Sequence, residues 1–384
     1  MRALVFSCVC VGLSFGLTVT KFMRFPEVSW QFHASSFEIP PQNTDQNTDQ
    51  NTEAPKFQQI LDYDKPDGNA HSPSIALNED GFSVFWFDGT KESANDVVIL
   101  QSQFDRTAAG WRAGNPELLF SRYDLEGVSA PRQSVLTLGN VISGQGSAAQ
   151  YFATIVSFGG WAAASIANVE YANGGLSSAR KLSLSPWLNR SHLVRAPAIE
   201  YADGTLGLPA YFELGKGFGE LIRLDENFRV RHKSRMNREV EAIQAVIVPL
   251  DQSNAVALSR NFDAGSDRLV ANWTADGGQT WTPDMLLQDM PNPSAPVAAL
   301  LLSTQDILMV FNDSPHDASI LKLALSSDQG RTWRRIHTLE RGDGAARYPT
   351  MVRLPDGDMA LTYSVKGKHG IRAYVFNEAW VYSL

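Results

Sequence analysis

Two segments of this chain carry the same eight-residue pattern. Thr274-Ala-Asp276-Gly-Gly278-Gln-Thr280-Trp281 and Ser326-Ser-Asp328-Gln-Gly330-Arg-Thr332-Trp333 both read [S/T]-x-D-x-G-x-T-W, 52 residues apart. Self-similarity at a fixed period of this size marks repeated supersecondary units. The residue types are those of a turn. Asp accepts hydrogen bonds from backbone N–H groups further along the chain, and Gly supplies a positive φ. Thr and Trp then suit the start of a strand. Asp276, Gly278 and Trp281, with Asp328, Gly330 and Trp333, are therefore expected to brace turns. A looser third copy is expected between Ser102-Gln-Phe-Asp105 and Gly110-Trp111.

A second repeat runs in phase with the first. Pro-led strand starts occur at His71-Ser-Pro73, Ser129-Ala-Pro131, Arg195-Ala-Pro197, Ser294-Ala-Pro296 and Arg347-Tyr-Pro349, and Gln244-Ala-Val246 has the same form with Val for Pro. Asp203-Gly204 and Asp356-Gly357 then introduce second apolar runs, as does Asp80-Gly81, which is the pattern of hairpins with polar turns. Six in-phase units of short strands predict an all-β six-bladed propeller over 56–384. Phe57–Tyr63 is expected to pair with the last unit, leaving no open edge.

The rest of the chain adds bounds. With 384 residues and 43% hydrophobic content there is material for a large core, and a net charge of −8 argues against a nucleic-acid partner. Both cysteines, Cys8 and Cys10, lie in an apolar run from Ala3 to Thr20 flanked by Arg2, Lys21 and Arg24. Residues 1–24 thus read as a cleaved signal or an uncleaved membrane anchor, and the protein is expected to be exported. Residues 25–55 contain QNTD-QNTD-QNTE and read as a flexible linker. No H-E-x-x-H or Gly-rich phosphate loop occurs, so neither a metal nor a cofactor is expected.

The six residues two before each Pro or Val are expected at the mouth of the central channel: His71, Ser129, Arg195, Gln244, Ser294 and Arg347. One His and two Arg suggest an anion-binding funnel, because Arg holds carboxylates through paired hydrogen bonds.

The boxes and strand starts together resemble the sialidase superfamily, and in particular the broad group of sialidase-like BNR-repeat proteins, over roughly residues 70–376. The resemblance implies that Tyr348, in Ala346-Arg347-Tyr348-Pro349, takes the place of the family's tyrosine nucleophile. Gln244 takes the place of the glutamate that activates it, and Gln cannot act as a base. Arg260 matches one of three carboxylate-binding arginines and His71 stands at another. The stretch 312–320, at the third, has none. Asp96, in the loop after the first hairpin, matches the acid/base, and Lys91 in that loop and His192 join the substrate contacts. The implied function is a glycosidase acting on acidic, sialic- or uronic-acid-containing glycans. A lyase on uronate polymers using Tyr, His and Arg is an alternative, as is a non-catalytic glycan- or protein-binding propeller.

Overall fold

The structure, a computed structural model, describes residues 29–40, 54–78, 81–107, 110–144, 150–185, 189–263 and 267–384. The apolar run 3–20 and the QNTD stretch lie outside these residues. Among the described residues no helix is long and apolar enough to cross a membrane.

The described residues are mainly antiparallel strands, in five sheets. The first holds Asn69–Leu77, Gly81–Gly89, Val98–Thr107 and Gly110–Ala113, with Glu117–Ser121 beside Val98–Thr107. The second runs Thr137–Ser143, Gln150–Val156, Ala164–Ala172 and Gly175–Lys181. A nine-stranded sheet follows. Its first half, around Leu206–Phe212 and Phe218–Leu224, meets its second, from Ala242–Pro249 to Met285–Pro291, through one parallel pair, Phe218 with Ala242. Ala298–Leu301 leads the next sheet. The last is Arg347–Arg353, Met359–Val365 and Gly370–Phe376, joined at its edge by Phe57–Asp64. The early segment therefore does pair with the final sheet, and the described residues form a propeller-like all-β body.

The leading strands touch in succession. Asn69–Leu77 packs on Thr137–Ser143 and on Arg347–Arg353, Ala242–Pro249 on Ala298–Leu301, and Ala298–Leu301 on Arg347–Arg353. Apolar cores fill the spaces between sheets, as where Phe85, Phe87 and Val97 meet Val141, Tyr151 and Ile155. A strand buried on both faces needs no alternation. That accounts for Phe82-Ser-Val-Phe-Trp-Phe87, which is buried throughout, whereas the edge strand Phe57–Asp64 alternates.

The starts of four leading strands share a backbone device. Pairing registers slip between His71 and Ser74, Leu138 and Val141, Ile243 and Val246, and Arg347 and Thr350. Within three of these bulges a non-glycine residue is left-handed: Ser72 at φ 52°, Gln244 at 56° and Tyr348 at 58°. Ser294, ahead of Ala298–Leu301, has φ 52°. A bulge re-aims a side chain at the end of a ladder, and left-handed non-glycine residues cost about 1–3 kcal/mol each and cluster at functional sites. This backbone register corrects the one inferred from proline. Gln244 aligns with Ser72 and Tyr348, not with His71 and Arg347. The second unit begins at Thr137–Ser143, not at Ser129. A capped helix, Arg122–Val128, precedes Ser129, which bridges Ala179 at the outer strand of its sheet. Pro131 lies in a link rather than at the head of a strand.

Both repeated boxes are turns. Asp276 accepts from Thr280 N at 2.9 Å, Thr280 Oγ1 at 2.6 Å and Thr274 Oγ1 at 2.8 Å, while Gly278 N donates to Thr274 Oγ1. Asp328 repeats this with Thr332 N, Thr332 Oγ1 and Ser326 Oγ. Gly278 and Gly330 have φ of 92° and 85°. Burial raises each carboxyl's pKa, but the hydrogen bonds outweigh it and hold both below the usual aspartate value. Asp276→Ala and Asp328→Ala are each expected to cost about 1–2 kcal/mol, the scale of a lost capping aspartate. A depressed folded-state pKa contributes stability that is present above the unfolded pKa and is lost as pH falls through the folded one. The gap between wild type and variant in urea melts should therefore be full at neutral pH and close below about pH 4. A gap that persists unchanged into acid would rule out the carboxylate as the brace. The expected third copy is not such a turn: Ser102 and Asp105 both lie within the strand Val98–Thr107.

The stretch 25–55 is not linker throughout, because residues 29–40 pack on the β-body. Phe32 is 1% exposed and pairs with Tyr201, Phe32 N donates to Gln252 O, and Ala202 N donates to Gln31 O. Trp30 stands edge-on to Tyr201 and His232, and the guanidinium of the fully buried Arg223 lies between Trp30 and Tyr201. A Cβ on Gly277 would fall 1.7 Å from Trp30 O. The two boxes differ here, Gly277 against Gln329, because the strap docks on the first.

Candidate active site

A cavity of about 380 Å³ opens where the leading strands begin, within the size range of small-ligand pockets. Tyr348 and Gln244 enter it from their bulges, and Arg260 from Ala255–Asn261, whose register places it opposite Ile243. Tyr211 and Glu213 come from the end of Leu206–Phe212, two residues apart and so on one side of the chain. Glu92 enters from the loop after Gly81–Gly89. Phe87, Trp161, Leu193 and Phe262 form apolar wall. Gly139 also lines it, and a Cβ there would meet the Trp161 ring at 2.8 Å, so the close approach of that indole requires glycine.

Arg260 is the hub. Its Nε donates to Ser294 Oγ at 3.0 Å, and one terminal nitrogen donates to Gln244 Oε1 at 3.0 Å and reaches Tyr348 Oη at 3.5 Å. Gln244 Nε2 donates to Tyr211 Oη at 3.1 Å, and Asn140 Nδ2 to the same oxygen at 3.4 Å. Burial is the largest influence on Glu213 and raises its pKa; Arg260 opposes this and Glu92 adds to it. A carboxyl so placed holds its proton to higher pH than a surface glutamate.

Behind Tyr348 lie two residues predicted at the channel mouth. Arg195 is 4% exposed; it donates to Thr350 Oγ1 and Pro349 O, both at 2.9 Å, with its guanidinium 5.2 Å from the centre of the Tyr348 ring. Burial lowers its pKa to about 10, which leaves it charged at neutral pH. His71 stands edge-on to Tyr348, ring centres 4.3 Å apart. Burial first, and then Lys368, Arg195, Arg347 and Arg260, push its pKa well below the ordinary value and keep the ring neutral. These residues support Tyr348 from beneath and are not among the cavity's lining residues. Arg347, beside them, is half-buried, its pKa lowered by burial and then by Arg260.

The remaining predicted residues fall elsewhere. Asp96 is exposed and accepts from Thr90 N and Thr90 Oγ1, both at 3.1 Å; Lys91 is exposed in the same loop. His192 is buried with its Nε2 3.1 Å from Glu220, inside its sheet rather than in the cavity. The sequence reading missed Tyr211, Glu213, Glu92, Asn140 and the aromatic wall. The available signal was Tyr211-Phe-Glu213, a strand end with two polar residues at period two. Among the described residues no cluster of three or more His, Cys, Asp or Glu is placed to hold a metal ion.

The model of the BNR repeat-like domain matches residues 80–361. The chain belongs to this family. Three solved structures share its fold. A Dyadobacter fermentans protein of unknown function is 14% identical with a TM-score of 0.62, the alignment covering 84% of this chain and 99% of that one. The Trypanosoma rangeli sialidase, solved with 2,3-difluorosialic acid as a covalent intermediate, is 12% identical with a TM-score of 0.61, covering 86% and 61%. The NanB sialidase of Streptococcus pneumoniae is 11% identical with a TM-score of 0.60, covering 84% and 70%. This member of the BNR repeat-like family thus spans about three-fifths of the trypanosomal enzyme. No curated protein matches the chain by sequence.

Proposed function

We propose that this BNR-repeat protein is a carbohydrate-active enzyme that cleaves a glycan beside an acidic sugar, with Tyr348 as its reactive centre. The observation that carries the reading is that Tyr348, Arg260 and Glu213 line one cavity with an aromatic wall. A phenol, with a reference pKa near ~10, needs help to react at neutral pH. Here Arg260 at its oxygen and Arg195 below its ring set positive charge beside the hydroxyl, in place of a neighbouring carboxylate. Glycoside hydrolysis through a tyrosine nucleophile is a known departure from the two-carboxylate scheme. Glu213, whose carboxyl is held by burial to keep its proton to higher pH than a surface glutamate, supplies the acid. Arg260 offers the acidic group a cation, and the aromatic wall offers a sugar face a stacking surface. We place the six leading strands as the inner strands of six blades, with the nine-stranded sheet as two blades bridged by a single pair; a crystal structure would count them.

A non-catalytic glycan-binding propeller is the second reading, favoured by Gln244, a neutral residue bonded on both sides at the position of the family's base.

The test is a screen of the full-length protein against sialosides and uronate polysaccharides, detecting new reducing ends and the absorbance of unsaturated products. Reducing ends alone identify a hydrolase and unsaturated products a lyase; binding without turnover leaves the second reading. On the cleaved glycan, Glu213→Gln is expected to lower turnover by about 10²–10⁴, the usual contribution of a general acid. A loss of that size in Asp96→Asn but not in Glu213→Gln would move the acid to the loop.

A further inference from the structure

The hydrogen bonds between Arg260 and Tyr211 have a forced direction. An arginine side chain donates only. The Gln244 atom that faces Arg260, 3.0 Å away, is therefore the amide oxygen, and the amide nitrogen is left to face Tyr211 Oη at 3.1 Å. That nitrogen also only donates, so the Tyr211 oxygen accepts. Asn140 Nδ2 meets the same oxygen at 3.4 Å, and Asn140 is oriented in turn by Ser72, whose hydroxyl donates to Asn140 Oδ1 at 2.5 Å. Both lone pairs of Tyr211 Oη are then occupied by donors. Among the described residues no acceptor lies within bonding distance of its proton, although the side chain is 2% exposed and lines the cavity.

We infer that Tyr211 is the site's built-in hydrogen-bond donor, its proton aimed into the cavity by Gln244 and Asn140, and that its ligand atom is an oxygen carrying or developing negative charge between Tyr211 and Arg260. This rests on the cavity being the glycan site; the oxygen is that of a sugar carboxylate or of a departing hydroxyl. A buried polar donor without a partner is costly in the empty protein, and is retained where a ligand satisfies it. Burial, and then the charge of Glu213, raise the pKa of Tyr211, so the group keeps its proton across the neutral range. Two tyrosines thus divide the work: Tyr348 beside cations, Tyr211 among neutral amides. Gln244 is not a vacated base on this account. It is the relay that turns Tyr211 toward the ligand, and it does so because it is an amide.

The relay predicts an outcome opposite to that of a lost base. In Gln244→Glu, one carboxylate oxygen still accepts from Arg260, and the other now accepts from Tyr211, turning its proton away from the cavity. Activity or affinity for the glycan found in the screen is expected to fall by about 10-fold or more, the scale of a hydrogen bond to a charged group. It should fall by a similar factor in Tyr211→Phe, with the double variant no worse than Gln244→Glu alone. A rise in activity in Gln244→Glu would overturn the inference and restore a base to that position. A second measurement needs no glycan. Neutron diffraction of the deuterium-exchanged wild-type protein should place the Tyr211 deuteron pointing into the cavity; a deuteron on the line to Gln244 or Asn140 would overturn the relay, whether or not the screen finds a substrate.

Discussion

Tyr348→Phe is expected to lower kcat/KM on the cleaved glycan by about 10²–10⁴ while leaving the fold intact. Both halves follow from the contacts. The ring is held by its edge-on contact with His71 and by Arg195 beneath it. Phenylalanine keeps the ring and both contacts. Among the described residues the hydroxyl has a single long bond, from Arg260 at 3.5 Å, so removing it forfeits little stability. What disappears is the only atom on that ring able to attack carbon or take a proton. A nucleophile or base acts in the transition state, so the loss should fall on kcat with KM changed less. Thermal melting and the aromatic circular dichroism of the variant should match wild type. A variant with unaltered kcat/KM would place the reaction centre elsewhere in the cavity, with Glu213 and Glu92 as the remaining candidates.

The largest effect on stability is expected far from that cavity. Phe32→Ala should cost about 3–5 kcal/mol, the range for emptying a buried phenylalanine site. Phe32 is 1% exposed, its ring is 5.2 Å from that of Tyr201, and it belongs to the same apolar cluster as Leu221, Val246 and Val256. Losing it also loosens a strap held by backbone bonds to Gln252, Glu200 and Ala202. Gly277→Ala attacks the same dock from below, since its methyl group would overlap Trp30 O and its φ of 72° disfavours any side chain. Urea melts of both variants would measure this, and a change under 1 kcal/mol in Phe32→Ala would show that residues 29–40 rest on the β-body without stabilising it.

Local chemistry made part of this architecture legible. The boxes are turns because Asp, Thr and Gly at those spacings satisfy one another within eight residues, whatever surrounds them. The last sheet's extra strand was readable at Phe57–Tyr63 because an edge strand keeps its alternation. Proline was a poorer guide. Pro73 and Pro349 do follow left-handed residues in bulges, but Pro131 sits in a link, and nothing within a few residues of it distinguishes the two settings. Arg195 shows the same limit at the site. Its type and spacing suggested a cation facing an anion, whereas the chain after His192–Val194 turns it under Tyr348, where its donors serve Thr350 and Pro349.

The sequence by itself determined the family, the repeated turns and the position of Tyr348 and Gln244 at strand starts, because each depends on a short motif whose groups interact locally. Only the tertiary structure decided that Tyr211 and Glu213 share a cavity with them, that Asp96 and Lys91 stand outside it, and that the strap at 29–40 belongs to the fold. Those facts depend on bulges that re-aim side chains and on sheets packed across more than a hundred residues of chain, and no spacing within a single unit encodes them.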